Sequence, residues 1–366
     1  MVGRFQEEVD DPPSTVDSAG WGWRSVKKGA RRASRDNRPL PALPLSRPPM
    51  PIQWFPGHMN ATRKAIAERV KTTDVVIELL DARLPGSSAN PALTGMTAHK
   101  PRLKILNKQD LADPQRTAEW LAHYQGQSET GAIALDASQT PPAQRKAIID
   151  ACHRLAPGRG GLAKPMRVLI CGVPNVGKST LINTLSLKRQ AKAADEAGVT
   201  KQEQRILLAD DFYLYDTPGM LWPKIIVPES GYRLAVSGAV GRNAYDDEEV
   251  ALELLAYLKT HYAEALRARY RLPDGEPVAN QPDEALLDAV GRRRGAIVSG
   301  GRVDAQKAAE ALITDFRGGA IGRITLETVE EFAAWLAAGR RAEAELRRRR
   351  EEAQRARQGS AAGRGR

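Results

Sequence analysis

The chain has 366 residues, 42% hydrophobic and only 5% aromatic, which is length for roughly two or three domains. Lys and Arg total 55 against 44 Asp and Glu, a formal charge of +11, and such an excess favours a polyanionic partner such as nucleic acid or a ribonucleoprotein surface. Two cysteines, Cys152 and Cys171, exclude a disulfide framework and a cysteine metal cluster and fit a reducing cytoplasm, and no apolar run approaches the ~18 residues of a membrane span.

Residues 1–48 are rich in Pro, Arg, Ser and Gly without periodicity, which predicts a disordered tail. Glu7, Glu8, Asp10 and Asp11 near its start are wrong for a signal or transit peptide. Its second half is basic, from Arg24 to Arg47. Short, largely apolar, β-branched runs follow at 75–80, 103–106, 132–135 and 167–170, as buried parallel strands require. A further strand at 212–215 is expected to pair with 205–208. Amphipathic segments separate most of them, so residues 49–228 read as a doubly wound α/β sheet. After about 230 the strand pattern fades. Helices are expected over 248–262, after an N-cap at Asp304, and over 325–336, with Gly318-Gly319 stopping the second. Residues 229–339 therefore read as a small all-α domain. From 340 to 366 there are ten Arg and four Glu, a basic tail whose first part extends a helix.

The chemistry-bearing motifs sit at strand ends. Asn107-Lys108-Gln109-Asp110 fits the N-K-x-D guanine-reading pattern. A carboxylate at Asp110 accepts from the two adjacent guanine donors together, and adenine lacks that pair. The Lys108 stem suits the ring face. Asp136-Ala137-Ser138 fits the weaker loop whose Ala N–H touches the guanine oxygen. Gly172-Val173-Pro174-Asn175-Val176-Gly177-Lys178-Ser179, then Thr180, fits G-x-x-x-x-G-K-[ST] between a strand and a helix. Its backbone amides cradle phosphates at a helix N-terminus, Lys178 supplies a point charge, and Ser179 offers a hydroxyl to Mg²⁺. Thr200 is the candidate switch I ligand to the same ion. Asp216-Thr217-Pro218-Gly219 ends the strand at 212–215; Asp216 belongs in the metal's outer shell, and the Gly219 N–H can sense a γ-phosphate. Asn175 fits either a monovalent cation beside the phosphates or a loop-tying hydrogen bond. Met220 stands where many GTPases place a water-orienting Gln, and a thioether cannot do that task.

In ordinary GTPases the phosphate loop precedes the guanine motif; here it follows. The order is that of a circularly permuted P-loop GTPase followed by a small all-α domain. The chain resembles the YlqF/YawG-type circularly permuted GTPases over about 50–335. The resemblance is carried by Trp54-Phe55-Pro56-Gly57-His58-Met59, Asp81-Ala82-Arg83-Leu84-Pro85, Asn90-Pro91, the run from Asp216 to Pro223, and Gly291 to Gly295 with Asp315-Phe316-Arg317 and Gly322-Arg323. Ala197 departs from that family's usual Pro. The resemblance implies a slow GTPase in late assembly of the large ribosomal subunit, with GTP/GDP, Mg²⁺ and K⁺ as ligands and a subunit precursor as partner. It also implies that His58 positions the hydrolytic water; on the residues alone, His58 is a histidine in a Gly-Pro loop with aromatics. Arg292, Arg293, Arg294, Arg302, Lys307, Arg317 and Arg323 suit phosphates of folded RNA, or else form a solvated face. A monomer is expected. The alternatives are a GTPase-controlled RNA-handling or modification factor acting off the ribosome, and a signalling GTPase with protein partners only.

Overall fold

A computed structural model of the chain describes residues 52–139, 142–161, 163–186 and 204–363. The expected tail at 1–48 and Thr200 lie outside the described residues. The elements run α1 (His58–Lys71), β1 (Val75–Asp81), α2 (Pro91–Thr97), β2 (Arg102–Asn107), α3 (Pro114–Gln125), β3 (Thr130–Leu135), α4 (Pro142–Leu155), β4 (Met166–Gly172), α5 (Lys178–Leu185), β5 (Gln204–Ala209), β6 (Phe212–Asp216), α6 (Pro228–Ser237), α7 (Asp247–His261), α8 (Ala263–Tyr270), α9 (Asp283–Arg294), α10 (Ala305–Arg317) and α11 (Val329–Gly363).

The six strands form one sheet in the order β3-β2-β1-β4-β6-β5. All neighbours are parallel except β5 and β6, which are antiparallel. Every residue of β1 is buried, as a central strand covered on both faces requires. Successive side chains serve opposite faces. Leu79 and Ile105 join the cluster that holds Ile148 and Cys152 of α4, whereas Leu80 and Leu106 join the one that holds Trp120 and Tyr124 of α3. Leu234 of α6, Leu254 and Leu258 of α7, and Leu312 and Phe316 of α10 belong to the first cluster, so the helical region shares a core with the sheet.

Two local readings differ from the sequence expectation. His58 is the first residue of α1 rather than a loop residue. The helix expected from 325 begins only at Val329. Thr325 is buried and engaged: its hydroxyl donates to the Ala82 carbonyl (3.1 Å) and accepts from the Asp113 N–H (3.1 Å). Thr328 and Glu331 then start α11 as a capping box, with the Glu331 N–H donating to the Thr328 hydroxyl (3.1 Å) and the Thr328 N–H to the Glu331 carboxylate (2.8 Å). The helix crosses residue 339 without a break.

Candidate nucleotide site

Along β1 and β4 the chain departs toward opposite edges of the sheet, so a crevice opens beyond their carboxyl ends. β2, β3 and β6 end on the same side, which brings all four described motifs to one rim.

The phosphate loop leaves β4 at Gly172 and enters α5 at Lys178. Gly177 has φ 101°, a left-handed conformation, and a Cβ there would strike the Asn107 amide. Asn175 is left-handed too, at φ 56°, a region asparagine tolerates. A loop wound this way into a helix N-terminus offers successive N–H groups to an anion. Val176 is buried, while Ser179 and Thr180 in the first turn of α5 are half-buried. Lys178 is buried, its ammonium donating to the Gly172 and Val173 carbonyls, both at 3.3 Å. Burial lowers its pKa, against the pull of Asp216.

Asp216 closes β6. Both of its carboxylate oxygens are buried with no hydrogen-bond partner among the described residues. Burial pushes its pKa up to about 6, against the attraction of Lys178. A buried carboxylate without a side-chain partner, near enough to Lys178 of the phosphate loop to attract it, fits Mg²⁺, which takes oxygen ligands and keeps several of its waters. The residues after Asp216 lie along the phosphate loop and its strand. The Thr217 hydroxyl donates to the Ile170 carbonyl (3.0 Å), and the Met220 N–H to the Gly172 carbonyl (3.2 Å). A Cβ at Gly219 would come 2.8 Å from Pro174 Cα, so no side chain fits there. Met220 is buried in the core.

Asn107 ties the base side to the phosphate side. Its Nδ2 donates to the Val176 carbonyl (2.8 Å) and its Oδ1 accepts from the Ala137 N–H (2.8 Å). One amide thus fixes three loops. Asp136 accepts from the Ser138 N–H (2.8 Å) and hydroxyl (2.7 Å), shaping the Ala137 turn. Lys108 has φ 62°, and its ammonium reaches the Asn175 carbonyl (3.1 Å) and Asp81 (2.8 Å). Asp110 is exposed on the same loop. Asn175 donates from Nδ2 to the Gly238 carbonyl (2.9 Å), so it does tie its loop, and it ties it to the helical region.

His58 opens α1, but its side chain lies outside the described residues. The basic set divides. Arg292, Arg293, Arg302 and Lys307 are exposed around the turn between α9 and α10; Arg292 pairs with Asp288 (2.7 Å) and Lys307 with Asp304 (3.3 Å). Arg294 reaches the buried Asp315 (3.4 Å). Arg317 is half-buried and Arg323 is exposed, and both bond to backbone. Arg317 donates to the Val236 and Ala235 carbonyls (2.7 and 2.8 Å), and Arg323 to the Ala112 and Gln109 carbonyls (2.9 and 2.8 Å). Arg317 thus holds the end of α6 and Arg323 the guanine loop, each with N–H donors left over from these bonds.

Sequence reasoning gave no role to Asp81, Arg83 or Asn90. Arg83 is buried, grips Asp81 with two hydrogen bonds (2.9 and 2.8 Å), and donates to the Phe316 and Arg317 carbonyls (both 3.3 Å). Burial alone would raise the pKa of Asp81; Arg83 and Lys108 outweigh it and hold the group well below the ordinary 3.8. The visible signal was a charged Asp-x-Arg ending an apolar strand.

Comparison with known proteins agrees with this geometry. A family model described as 50S ribosome-binding GTPase matches residues 167–262, a span that starts at the phosphate-loop strand and leaves the guanine motif upstream. Ribosome biogenesis GTPase A of Bacillus cereus is 42% identical over 291 residues, covering 77% of this chain and 96% of the relative. That of Priestia megaterium is 40% identical over 291 residues, covering 77% and 98%. The solved GDP-bound structure of YlqF superimposes with a TM-score of 0.54 at 24% identity, over 73% of this chain and 99% of that one, and supports the fold. A GTPase site assembled in permuted order, shared with such relatives along nearly their whole length, identifies this chain as a GTPase that belongs to the ribosome biogenesis GTPase A family.

Proposed function

We propose that this GTPase is a switch in ribosome biogenesis, acting late on a precursor of the large subunit, binding it in the GTP state and leaving on hydrolysis. The observation that carries the reading is Asn107, whose single amide joins the base-reading loop, the phosphate loop and the Ala137 turn into one guanine-nucleotide pocket. The relatives' names supply the ribosomal setting.

Asp110 reads the guanine edge, and Lys108 lies along the ring. The phosphate-loop amides and Lys178 bind the phosphates. Ser179, Thr200 and Asp216 would hold Mg²⁺, directly or through water, which when bound would supply positive charge beside the phosphate oxygens. Gly219 offers its N–H to the γ-phosphate. Met220 is buried and leaves the water to another group, for which His58 is the candidate. The Asn175 amide oxygen is the candidate ligand for K⁺. Arg292, Arg293, Arg302 and Lys307 form the exposed basic surface suited to rRNA phosphates. The setting is cytoplasmic and the working unit a monomer.

Co-sedimentation with large-subunit particles tests the reading. Binding is expected with a non-hydrolysable GTP analogue and not with GDP; binding that ignores the nucleotide, or none, refutes it. In the same system His58→Ala should keep nucleotide affinity and lose most of the subunit-stimulated kcat. Unchanged stimulated hydrolysis would make His58 structural.

A further inference from the structure

Asn90 occupies a place that the GTPase motifs leave unexplained. It is fully buried and caps α2, its Oδ1 accepting from the Ala92 N–H (2.9 Å) and the Leu93 N–H (3.4 Å). A cap needs only that oxygen. Its amide nitrogen reaches across 130 positions of sequence and donates to the Met220 carbonyl at 2.8 Å. Met220 directly follows Gly219. Its own N–H is already bound to Gly172 of the phosphate loop (3.2 Å). The peptide units on both sides of Met220 are therefore fixed, one by the phosphate loop and one by Asn90. Asn90 is in turn held from behind, since its N–H donates to Glu78 Oε1 (2.8 Å). The other oxygen of Glu78 pairs with Lys104, its cross-strand neighbour on β2, and both side chains are buried. β2 carries Asn107 at its end.

We propose that Asn90 is a positioning residue for hydrolysis: its side-chain amide fixes the Met220 carbonyl and so sets the Gly219 N–H for the γ-phosphate. The inference rests on the reading of Gly219 as the γ-phosphate sensor. A carbonyl held by a buried amide has little freedom, and a buried carbonyl that loses its donor is destabilising unless the chain moves to find another. The cheapest movement is rotation of the peptides around Met220, which displaces Gly219. GDP, with no γ-phosphate, does not sense that displacement. GTP and its analogues do.

Asn90→Ser separates the two tasks, because serine keeps an oxygen acceptor for the α2 cap but is too short to reach Met220. With wild-type protein hydrolysing GTP and preferring the GTP analogue in the presence of subunits, the Gly219 reading stands and the variant tests Asn90 alone. The expected result is GDP affinity within twofold of wild type, kcat about tenfold lower, and affinity for the GTP analogue at least threefold weaker. Asn90→Asp, which also keeps the cap and loses the donor, should show the same split. If either variant folds and keeps kcat and analogue affinity within twofold, or loses GDP affinity in parallel, the proposal is wrong. If both variants fail to fold, Asn90 belongs to the fold alone and the proposal is equally wrong. Wild-type protein without GTP hydrolysis would instead overturn the function itself.

Discussion

Arg83 shows what a single buried charge can hold. Its guanidinium spans Asp81, which also receives Lys108 of the guanine loop, and two carbonyls at the end of α10. Arg83→Ala would leave Asp81 buried beside one remaining cation, and breaking a buried pair this way costs about 3–5 kcal/mol. A thermal or urea unfolding curve checks it; a loss under 1 kcal/mol would mean that solvent reaches the site freely. The pH dependence has a definite sign. Asp81 titrates below its ordinary value in the folded protein, so its contribution is present above about pH 4 and disappears as pH falls below it. Asp81→Asn should flatten that acidic part of the stability curve. Asn107, Lys178 and Asp216 were legible in the sequence because a ligand fixes the residue types and spacings that bind it. Asn90 and Arg83 were visible only as members of motifs; their tasks were not, because their partners, Met220 and Phe316, stand 130 and 233 positions away.

Among the elements, the parallel strands were legible because burial on both faces demands apolar, β-branched runs. α6 and α9 were not, and each contains a glycine forced by close packing. At Gly231 a Cβ would lie 3.2 Å from Ile52 Cβ, and at Gly291 it would strike Val303 and come 3.1 Å from Ala308 Cβ. Helices packed so closely carry a residue that weakens the helical signal. α11 has two halves. The inner one packs Phe332 against Trp120 (5.9 Å between ring centroids) and sets Trp335 under Arg233 (4.2 Å). The outer one is exposed and laced by pairs one turn apart, Arg347–Glu351 (2.9 Å), Arg348–Glu352 (3.8 Å) and Arg349–Glu345. Such pairs contribute only about 0.2–0.5 kcal/mol each. Removing residues 344–366 should therefore leave the unfolding midpoint and intrinsic GTP hydrolysis almost unchanged. If the outer half adds phosphate contacts, the same deletion should weaken subunit binding and flatten its dependence on salt, read by sedimentation across a salt series. Unchanged binding would remove RNA from its role.

At the scale of the whole molecule, permutation leads the chain from Gly219 directly into the helical region, and that one link was readable from motif order. The structure adds return contacts. Asn175 of the phosphate loop is bound to Gly238 beyond α6. Arg323 holds Gln109 and Ala112, the Ile324 N–H donates to the Leu111 carbonyl (2.9 Å), and Thr325 receives the Asp113 N–H. The guanine loop is thus framed by a segment up to 214 positions downstream. Translation makes the parts in that order. At about 5–20 residues per second, a loop that has just been synthesised waits roughly 10–40 s for the residues that clamp it. The base pocket is therefore finished only once the chain up to Thr325 has been made, which ties the nucleotide site to the synthesis of the helical region.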